Sequence, residues 1–270
     1  MDTAPRQAQF EFGFACDTGR KRKGEPNQDA MEVVLPSATE RWHPPLLVVA
    51  DGLGRYFGGS IASQLVIKTF KETYKQAQHP TNYILLMEKC AMAAHAAIRT
   101  QGAIDPKLAL MGSTVVAVTL EAKQLFLLNI GDSRAYIIRD RKILQVSQDQ
   151  SWVAAQVRAG ILTEQEARTH PNRNRLIMAI TAKRTEIKSY TAEEKLESND
   201  IILLCSDGLW GVVPETLIRA AAVELPPQVA ADKLISLANN NQGPDNISVV
   251  IARQSGFNRN EVMNLEDTSP

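Results

Sequence analysis

Short apolar runs recur along the chain, and polar stretches separate them. Their lengths and their content of Val and Ile predict β-strands. Two pairs of runs are close enough to form antiparallel hairpins, one pairing residues 115–120 with 125–130 and the other pairing 135–138 with 143–146. Further strands are predicted at residues 10–16, 46–50, 201–205 and 247–252.

Two longer segments carry apolar residues at spacings of three and four, which predicts amphipathic helices around residues 62–70 and 87–98. Shorter helices are predicted from local signals at residues 152–160, after Thr163, after Pro214 and after Pro227. Residues 46–49 are all apolar, so both faces of that strand must be covered. The pattern therefore predicts two central sheets with helices outside them.

The composition fits one large domain, because 270 residues that are 44% apolar can bury a substantial core. Thirty basic residues balance thirty acidic ones, so net charge gives no general attraction to nucleic acid or to an anionic membrane. The three cysteines form no CxxC pair, and no apolar run approaches the roughly 18 residues that suggest a membrane span. We expect a monomeric cytoplasmic protein that binds neither nucleic acid nor membranes.

Four aspartates stand next to apolar strands. Asp51, Asp132 and Asp207 follow a strand, and Asp245 precedes one. Strand ends in one packed core can converge, and clustered carboxylates repel one another unless cations neutralise them. Oxygen ligands without His or thiolate favour Mg²⁺, Mn²⁺ or Ca²⁺ over Zn²⁺. An isolated Asp-Gly pair is more often an ordinary turn than a ligand, so only the whole set indicates a metal site.

Six short motifs follow one another along the chain. They are Asn27-Gln28-Asp29-Ala30, Val48-Val49-Ala50-Asp51-Gly52-Leu53-Gly54, Met111-Gly112-Ser113-Thr114, Asn129-Ile130-Gly131-Asp132-Ser133-Arg134-Ala135-Tyr136, Cys205-Ser206-Asp207-Gly208-Leu209-Trp210 and Gly243-Pro244-Asp245-Asn246-Ile247-Ser248. Over about residues 12–253, this series closely resembles the type 2C (PPM) metal-dependent serine/threonine protein phosphatases. Residues 147–174 are similar to the bacterial branch of that family. The resemblance implies an α+β fold, a four-layer α/β/β/α sandwich with two central, mainly antiparallel sheets.

The resemblance also suggests how the chain is divided. Residues 1–9 would be an N-terminal extension, and residues 10–255 would be the phosphatase domain, with a flap at about 148–185. Residues 256–270 are polar and are expected to be a disordered tail.

A binuclear Mn²⁺ or Mg²⁺ centre follows from the same resemblance. Asp51 would bridge the two ions, and the Gly52 carbonyl would bind the first. Asp207 and Asp245 would bind the second. A hydroxide between the ions would attack phosphoserine or phosphothreonine in line, without a covalent phospho-enzyme. Phosphorylated Ser/Thr proteins are the implied substrates, and a bacterial-type Ser/Thr kinase is the implied opposing partner.

Three further residues complete the implied site. Asp132, together with Asp207, would hold a third and weaker ion, as in bacterial members of the family. Asp29 would orient metal-bound water without binding the metal itself. Asn246 would support the loops around the site.

The chain departs from the family pattern at the position where an arginine usually binds the substrate phosphate, because that residue is Gly24. Arg22 is the preferred replacement, and Lys23 and Arg20 are the alternatives. Most of the basic run 20–23 is expected to be an ordinary solvated loop.

Leu53 stands where many eukaryotic relatives have a histidine that protonates the leaving group. Water is therefore expected to protonate it here, with His170 as a weaker candidate. Residues 55–57 replace small or polar residues and predict a more apolar loop beside the metals. Trp210 is predicted to belong to the core. A thiolate mechanism is set aside, because small buried hydrophobic residues are predicted at Cys16, Cys90 and Cys205.

Two other functions remain open. A catalytically silent regulatory binding module of the same fold would be favoured by loss of metal aspartates, but all of them are present. A hydrolase of small phosphoesters or nucleotides would need a pocket for the base. Comparing metal-dependent phosphate release from phosphopeptides and from mononucleotides separates the three hypotheses.

Overall fold

The computed structural model describes residues 10–36, 43–54 and 58–257. In this part of the chain, twelve strands form two sheets, and seven α-helices accompany them. The strands are β1 (Phe10–Asp17), β2 (Asp29–Val34), β3 (Leu46–Leu53), β4 (Gly112–Ser113), β5 (Val115–Glu121), β6 (Gln124–Ile130), β7 (Arg134–Arg139), β8 (Lys142–Gln145), β9 (Ile180–Thr181), β10 (Tyr190–Lys195), β11 (Ile201–Cys205) and β12 (Ile247–Gln254). The helices are α1 (Gly58–Gln76), α2 (Tyr83–Ile104), α3 (Trp152–Arg158), α4 (Glu164–Thr169), α5 (Asp207–Trp210), α6 (Glu215–Glu224) and α7 (Pro227–Asn240).

Both sheets are built from antiparallel pairs. The five-stranded sheet has the order β1-β12-β11-β7-β8, and the seven-stranded sheet has the order β10-β6-β5-β3-β4-β9, with β2 also paired to β3. The two predicted hairpins are confirmed, because β5 pairs with β6 and β7 pairs with β8. The turn of the second hairpin contains Asp140 and Arg141 at positive φ (44° and 63°), a backbone form that matches the twist of the strands.

Alternate residues of β3 face opposite layers. Leu46 and Val48 pack with residues of α1 and α2, whereas Leu47 and Val49 pack against the five-stranded sheet. Helices α6 and α7 cover the outer face of the five-stranded sheet. The layers are therefore helices, sheet, sheet and helices, which confirms the predicted sandwich. Because Leu47 is completely buried between the sheets, we expect its truncation to Ala to cost about 2–5 kcal/mol.

The predicted helices are also confirmed. Asn82 caps α2 by accepting a hydrogen bond from the Leu85 amide at 2.9 Å. Thr163 and Glu166 form the predicted capping box at the start of α4. Helices α6 and α7 begin at the two prolines identified from the sequence.

The sequence pattern missed the strands β2 and β10 and the two-residue strands β4 and β9. β10 pairs with β6 at the edge of its sheet, and its side chains are half-buried or exposed. Glu193, Glu194 and Lys195 make this strand polar, and such charges protect a sheet edge from further pairing. β2 is also mostly half-buried. Neither strand has the continuous apolar run that identified the others.

Several sequence predictions lie outside the described residues. These are the N-terminal extension 1–9, the loop residues 55–57 and residues 258–270 of the expected tail. The domain boundaries therefore stay a prediction. Among the described helices, none is both long enough and apolar enough to cross a lipid bilayer.

Candidate metal centre

Asp29 and Asp51 face each other across the pair β2–β3. Asp29 is the first residue of β2, and the register places it directly opposite Asp51. Directly opposite residues of an antiparallel pair project to the same side of the sheet. The backbone of Asp51 is held on both sides, because its amide donates to Thr114 Oγ1 at 3.0 Å and its carbonyl oxygen accepts from Ser113 Oγ at 3.0 Å.

Three more aspartates reach the same place from other strands. Asp207 begins α5 directly after β11, and Asp245 precedes β12, the neighbour of β11. Asp132 follows β6. The charge of each of these three, and of Asp29, acts on the Asp51 carboxyl, and the Asp51 and Asp207 side chains share a hydrogen bond. These five residues are called the carboxylate rim below.

Burial and mutual repulsion raise the pKa values of the rim carboxyls. Burial is the larger cause at Asp51 and Asp132, whose pKa values lie well above the usual range. Burial also raises the pKa of Asp29 to about 7 and that of Asp207 to about 6, and neighbouring carboxylates add to both shifts. Divalent cations relieve this cost because they neutralise the carboxylates that bind them.

One carboxylate oxygen of Asp29 lacks a hydrogen-bond partner among the described residues. Asp29 Oδ2 accepts a 2.6 Å hydrogen bond from Ser206 Oγ, but the buried Asp29 Oδ1 has no hydrogen-bond partner among the described residues. Leaving a buried charged oxygen unpaired is costly, so this atom fits an ion or its bound water. The all-oxygen donor set of the rim fits Mn²⁺ or Mg²⁺.

The rim side chains are not yet arranged to bind a metal ion together. Among the described residues, no three His, Cys, Asp or Glu side chains are grouped as a ready-made metal site. The carboxylates instead contact each other and Arg22, whose Nη2 lies 3.1 Å from Asp245 Oδ2. Metal binding must therefore exchange some of these contacts for contacts with the ion.

The basic loop 20–23 brings one residue into contact with the rim. Arg22 is half-buried and pairs with Asp245, whereas Arg20 and Lys23 are exposed. The neighbouring Lys21 donates to Gln242 Oε1 at 2.8 Å. Of the three candidates for phosphate binding, Arg22 is the one that the structure brings to the aspartates.

Asn246 joins the loops that carry the rim. Its side chain accepts from the Gln28 amide at 2.9 Å and donates to the Thr18 carbonyl at 2.8 Å. Its own amide donates to Asp245 Oδ1 at 2.8 Å. Gly208 packs so closely against this segment that an added Cβ would lie 1.9 Å from the Asn246 carbonyl oxygen. Asn246 thus links the loops that carry Thr18, Gln28 and Asp245.

Gly52 has no space for a side chain. A Cβ on this buried residue would lie 2.0 Å from the Gly59 carbonyl oxygen and 2.6 Å from that of Gln28. The Gly52 amide also donates to the Gln28 carbonyl at 3.0 Å. The glycine after Asp51 is thus required by the close approach of three backbone segments.

Comparison with known proteins gives the family. Residues 16–233 match the family model described as protein phosphatase 2C. The chain belongs to this family. The mixed fold with two antiparallel sheets is that of its solved bacterial members.

Individual relatives are bacterial serine/threonine phosphatases. Serine/threonine protein phosphatase PstP of Mycobacterium tuberculosis is 36% identical over 211 residues, which make up 77% of this chain and 40% of that protein. The chain thus spans well under half of that relative. Serine/threonine phosphatase stp of Listeria monocytogenes is 28% identical over 251 residues, 89% of this chain and 94% of that protein. A solved PstP catalytic domain in complex with two manganese ions has a TM-score of 0.79 and 30% identity, covering 91% of this chain and 98% of that one.

In this phosphatase 2C chain, sequence reasoning did not single out Ser206, which contacts the carboxylate rim. Ser206 Oγ donates to Asp29 Oδ2 and accepts from the Ser248 amide at 2.9 Å. Its position directly before Asp207 was visible in the sequence. Its partner Asp29 lies 177 residues away, so only the fold could identify the contact.

A second missed group connects the rim to the flap. The Arg134 guanidinium binds both carboxylate oxygens of Asp149, at distances of 2.7–3.1 Å, and lies 3.6 Å from the centre of the Trp210 ring. The Trp210 indole donates to the Asp132 carbonyl oxygen at 3.0 Å. Trp210 is half-buried and packs partly against the core, so it supports Asp132 as well.

The two candidate proton donors differ in their surroundings. Leu53 pairs with Gly112 beside the rim and has no proton to give. His170 Nδ1 accepts the Asn172 amide at 3.1 Å, and its ring packs on Trp152 with 4.8 Å between ring centres. His170 is thus engaged in the local structure of the flap.

The prediction that all three cysteines are buried is correct for Cys90 and Cys205 and wrong for Cys16. Cys16 is exposed, although its sulfur contacts Ser248 Oγ at 2.9 Å and Asn27 Nδ2 at 3.0 Å. Partial enclosure of the sulfur and the nearby Asp29 charge raise the Cys16 pKa to about 11. This thiol is therefore protonated at neutral pH, which is unsuitable for a nucleophile.

Proposed function

We propose that this chain is a metal-dependent protein phosphatase that hydrolyses phosphoserine and phosphothreonine esters. The observation that carries the proposal is the carboxylate rim, five aspartates whose charges act on one another within a phosphatase 2C fold. Loss of these residues would have favoured a silent binding module, and none is lost.

The proposed metal ligands are rim residues. Asp51 and the Gly52 carbonyl would hold a first Mn²⁺ or Mg²⁺ ion. Asp51, Asp207 and Asp245 would hold the second ion. Asp132 would join Asp207 in holding a third. When bound, two such ions supply an activated water for in-line attack and neutralise the phosphoryl oxygens. The two manganese ions named for the PstP catalytic domain support this assignment.

Residues of the chain position the reactants. Ser206 holds one oxygen of Asp29, which leaves Asp29 Oδ1 to accept a hydrogen bond from the attacking water. Arg22 lies at the rim with a planar fork that can bind two phosphate oxygens at once. We assign phosphate binding to Arg22, with Lys23 as the alternative. Leu53 leaves protonation of the alkoxide to water.

The test is phosphate release from a phosphothreonine peptide and from a mononucleotide, each with Mn²⁺, with Mg²⁺ and with EDTA. We expect metal-dependent release from the peptide in preference to the nucleotide. Preference for the nucleotide would favour a small-phosphoester hydrolase, and no release from either would favour a binding module. Asp207→Asn should abolish release, and full activity in this variant would contradict the assigned ligands.

The same assay separates the two basic candidates. Arg22→Ala should raise KM for the phosphopeptide about tenfold, because a charge-assisted bidentate contact is lost. Lys23→Ala should change KM less, because Lys23 is exposed and Arg22 already pairs with the rim. The reverse ranking would move the phosphate contact to Lys23.

The proposal extends to the setting of the enzyme. We propose a monomer in the cytoplasm that opposes a bacterial-type Ser/Thr kinase, and a phosphatase domain at residues 10–255. The unpaired thiols of Cys16, Cys90 and Cys205 support a reducing compartment. Light scattering measures the mass in solution, and a chain trimmed to 10–255 that lost metal-dependent activity would contradict the boundaries.

A further inference from the structure

Besides the basic run 20–23, positive charge is concentrated in a second segment of a chain whose formal net charge is zero. Residues 168–188 contain six basic residues and one acidic residue, Glu186. Five of the six are exposed, and they are called the basic patch: Arg168, Arg173, Arg175, Lys183 and Lys188.

The charges of the basic patch are not neutralised by neighbours. None of its five residues forms an ion pair with another described residue, in contrast to Arg134 and Arg139, which bind buried aspartates. Of the acidic residues just before the patch, Glu166 is engaged with Thr163, and neither it nor Glu164 forms an ion pair with a patch residue among the described residues. Unpaired exposed cations of one sign create a local field that attracts anionic groups.

Hydrogen bonds to their carbonyl oxygens place the main chain of two patch members next to the segment that adjoins the rim. Gln150 forms two hydrogen bonds with Gly131, the residue before Asp132. Gln150 Oε1 accepts from the Gly131 amide, and the Gln150 amide donates to the Gly131 carbonyl. The Gln150 side chain donates to the Lys188 carbonyl at 3.0 Å. Next to Gln150, the Trp152 amide donates to the Arg175 carbonyl at 2.7 Å. The main chain at Arg175 and at Lys188 thus lies against residues 150–152, the segment that adjoins the rim.

We propose that the basic patch, led by Arg175 and Lys188, binds acidic side chains that flank the phosphorylated residue of a protein substrate. The inference rests on the proposed phosphatase activity, which puts the phosphoryl group at the rim and the rest of the peptide within reach of the flap. The enzyme then prefers phosphopeptides with Asp or Glu near the phosphorylated position. Contacts of this kind act over about a Debye length, so the preference weakens as salt rises.

An acidic peptide suits this surface better than a nucleic acid. Proteins that bind single-stranded nucleic acid combine basic residues with exposed aromatic rings on which bases stack. Within the described residues 148–188, the aromatic rings are Trp152 and His170, and these pack on each other. The patch thus offers charge without free stacking surfaces.

The test compares three phosphothreonine peptides whose flanking residues are acidic, neutral or basic. For the wild type, we expect the highest kcat/KM with the acidic peptide. In Arg175→Gln/Lys188→Gln, the ratio of kcat/KM for the acidic over the neutral peptide should fall about three- to tenfold, mainly through KM, as expected for two exposed charge contacts. In Arg175→Glu/Lys188→Glu, the basic peptide should become the preferred one.

The matched control is Lys68→Gln/Lys233→Gln, which removes two exposed charges from the outer helices α1 and α7 and should keep the wild-type ratio. Fluorescence anisotropy of the same peptides measures binding separately from turnover.

Turnover without discrimination by flanking charge, or an unchanged ratio in the Glu variant, would overturn this inference. Charge-selective binding without turnover would instead contradict the proposed function. Displacement of the acidic peptide by single-stranded DNA at equal charge concentration would also overturn the peptide assignment.

Discussion

The carboxylate rim and the flap adjoin at Gln150 but are held together by different contacts. The rim is assembled from residues far apart in sequence, from Asp29 on β2 to Asp245 beside β12. The flap is stabilised largely by local contacts, such as the capping box of α4, and few of its side chains are buried. Its links to the core run through Asp149, bound by Arg134, through Gln150, and through β9, which pairs with β4.

This difference separates two tasks. Positions in the rim are set by paired strands and buried hydrogen bonds, which is what placing ions and water requires. Between α3 and β9, the flap presents exposed charge on a segment with few buried side chains, so this part can vary with little effect on the sheets. We therefore expect changes in the rim to affect the rate of the reaction and changes in the flap to affect local stability or substrate choice.

The largest effect is expected for Asp51→Asn. Because Asp51 is the carboxylate assigned to both ions, its loss should lower kcat by more than the roughly 10- to 100-fold typical of residues that only orient a ligand. The measurement is the initial rate at saturating Mn²⁺. Asp140→Asn is the matched control, because Asn tolerates the left-handed backbone of that exposed turn. Near-normal activity in Asp51→Asn would remove the rim from the mechanism.

A smaller effect is expected for Ser206→Ala. Asp29 Oδ2 loses its donor, so kcat should fall roughly tenfold while KM stays the same. Combined with Asp29→Asn, the change should be less than additive, since both residues act through one carboxylate. Ser236→Ala, on the exposed face of α7, serves as the control. Full additivity would mean that Ser206 does not act through Asp29.

The stability of the rim should depend on pH in a direction opposite to that of ordinary paired carboxylates. The folded-state pKa of Asp29 is about 7 and that of Asp207 about 6, against 3.8 for the unpaired group. Their contribution to stability is thus fully present below about pH 4 and is lost as pH rises through 7. Mn²⁺ should restore it increasingly at higher pH, because the ion competes with protons.

Thermal unfolding between pH 5 and 8, with EDTA and with Mn²⁺, measures this dependence. The variant Asp29→Asn in EDTA should lose less stability than the wild type over that range. An equal or greater loss in the variant would show that Asp29 is not a source of the effect.

The smallest effect is expected in the flap. Thr163→Ala removes the cap of α4 and should cost about 1 kcal/mol of local stability. Hydrogen exchange at Glu164–Thr169 should quicken about fivefold, while kcat stays unchanged. A lower kcat would show that the flap and the rim are more tightly coupled than their contacts indicate.

The features predicted correctly from the sequence have short-range causes. The hairpin β5–β6 follows from two apolar runs separated by a short turn, and the capping box at Thr163 follows from residue types three positions apart. β10 was missed because an edge strand exposes polar residues and lacks the apolar run of a central strand. Cys16 was misjudged because β1 is an edge strand of its sheet, and most of its residues are exposed or half-buried.

The sequence by itself determined where the apolar strands and the helices lie, and that aspartates stand at strand ends, because apolar periodicity and turn chemistry act over a few residues. Only the tertiary structure decided that Asp29 faces Asp51, that Ser206 reaches Asp29, and that Arg22 rather than Lys23 meets the rim. These contacts depend on which distant strands pair, and that choice is made by burying complementary faces of two sheets. The raised pKa values have the same origin, since burial and like charge act only once folding brings the carboxyl groups together.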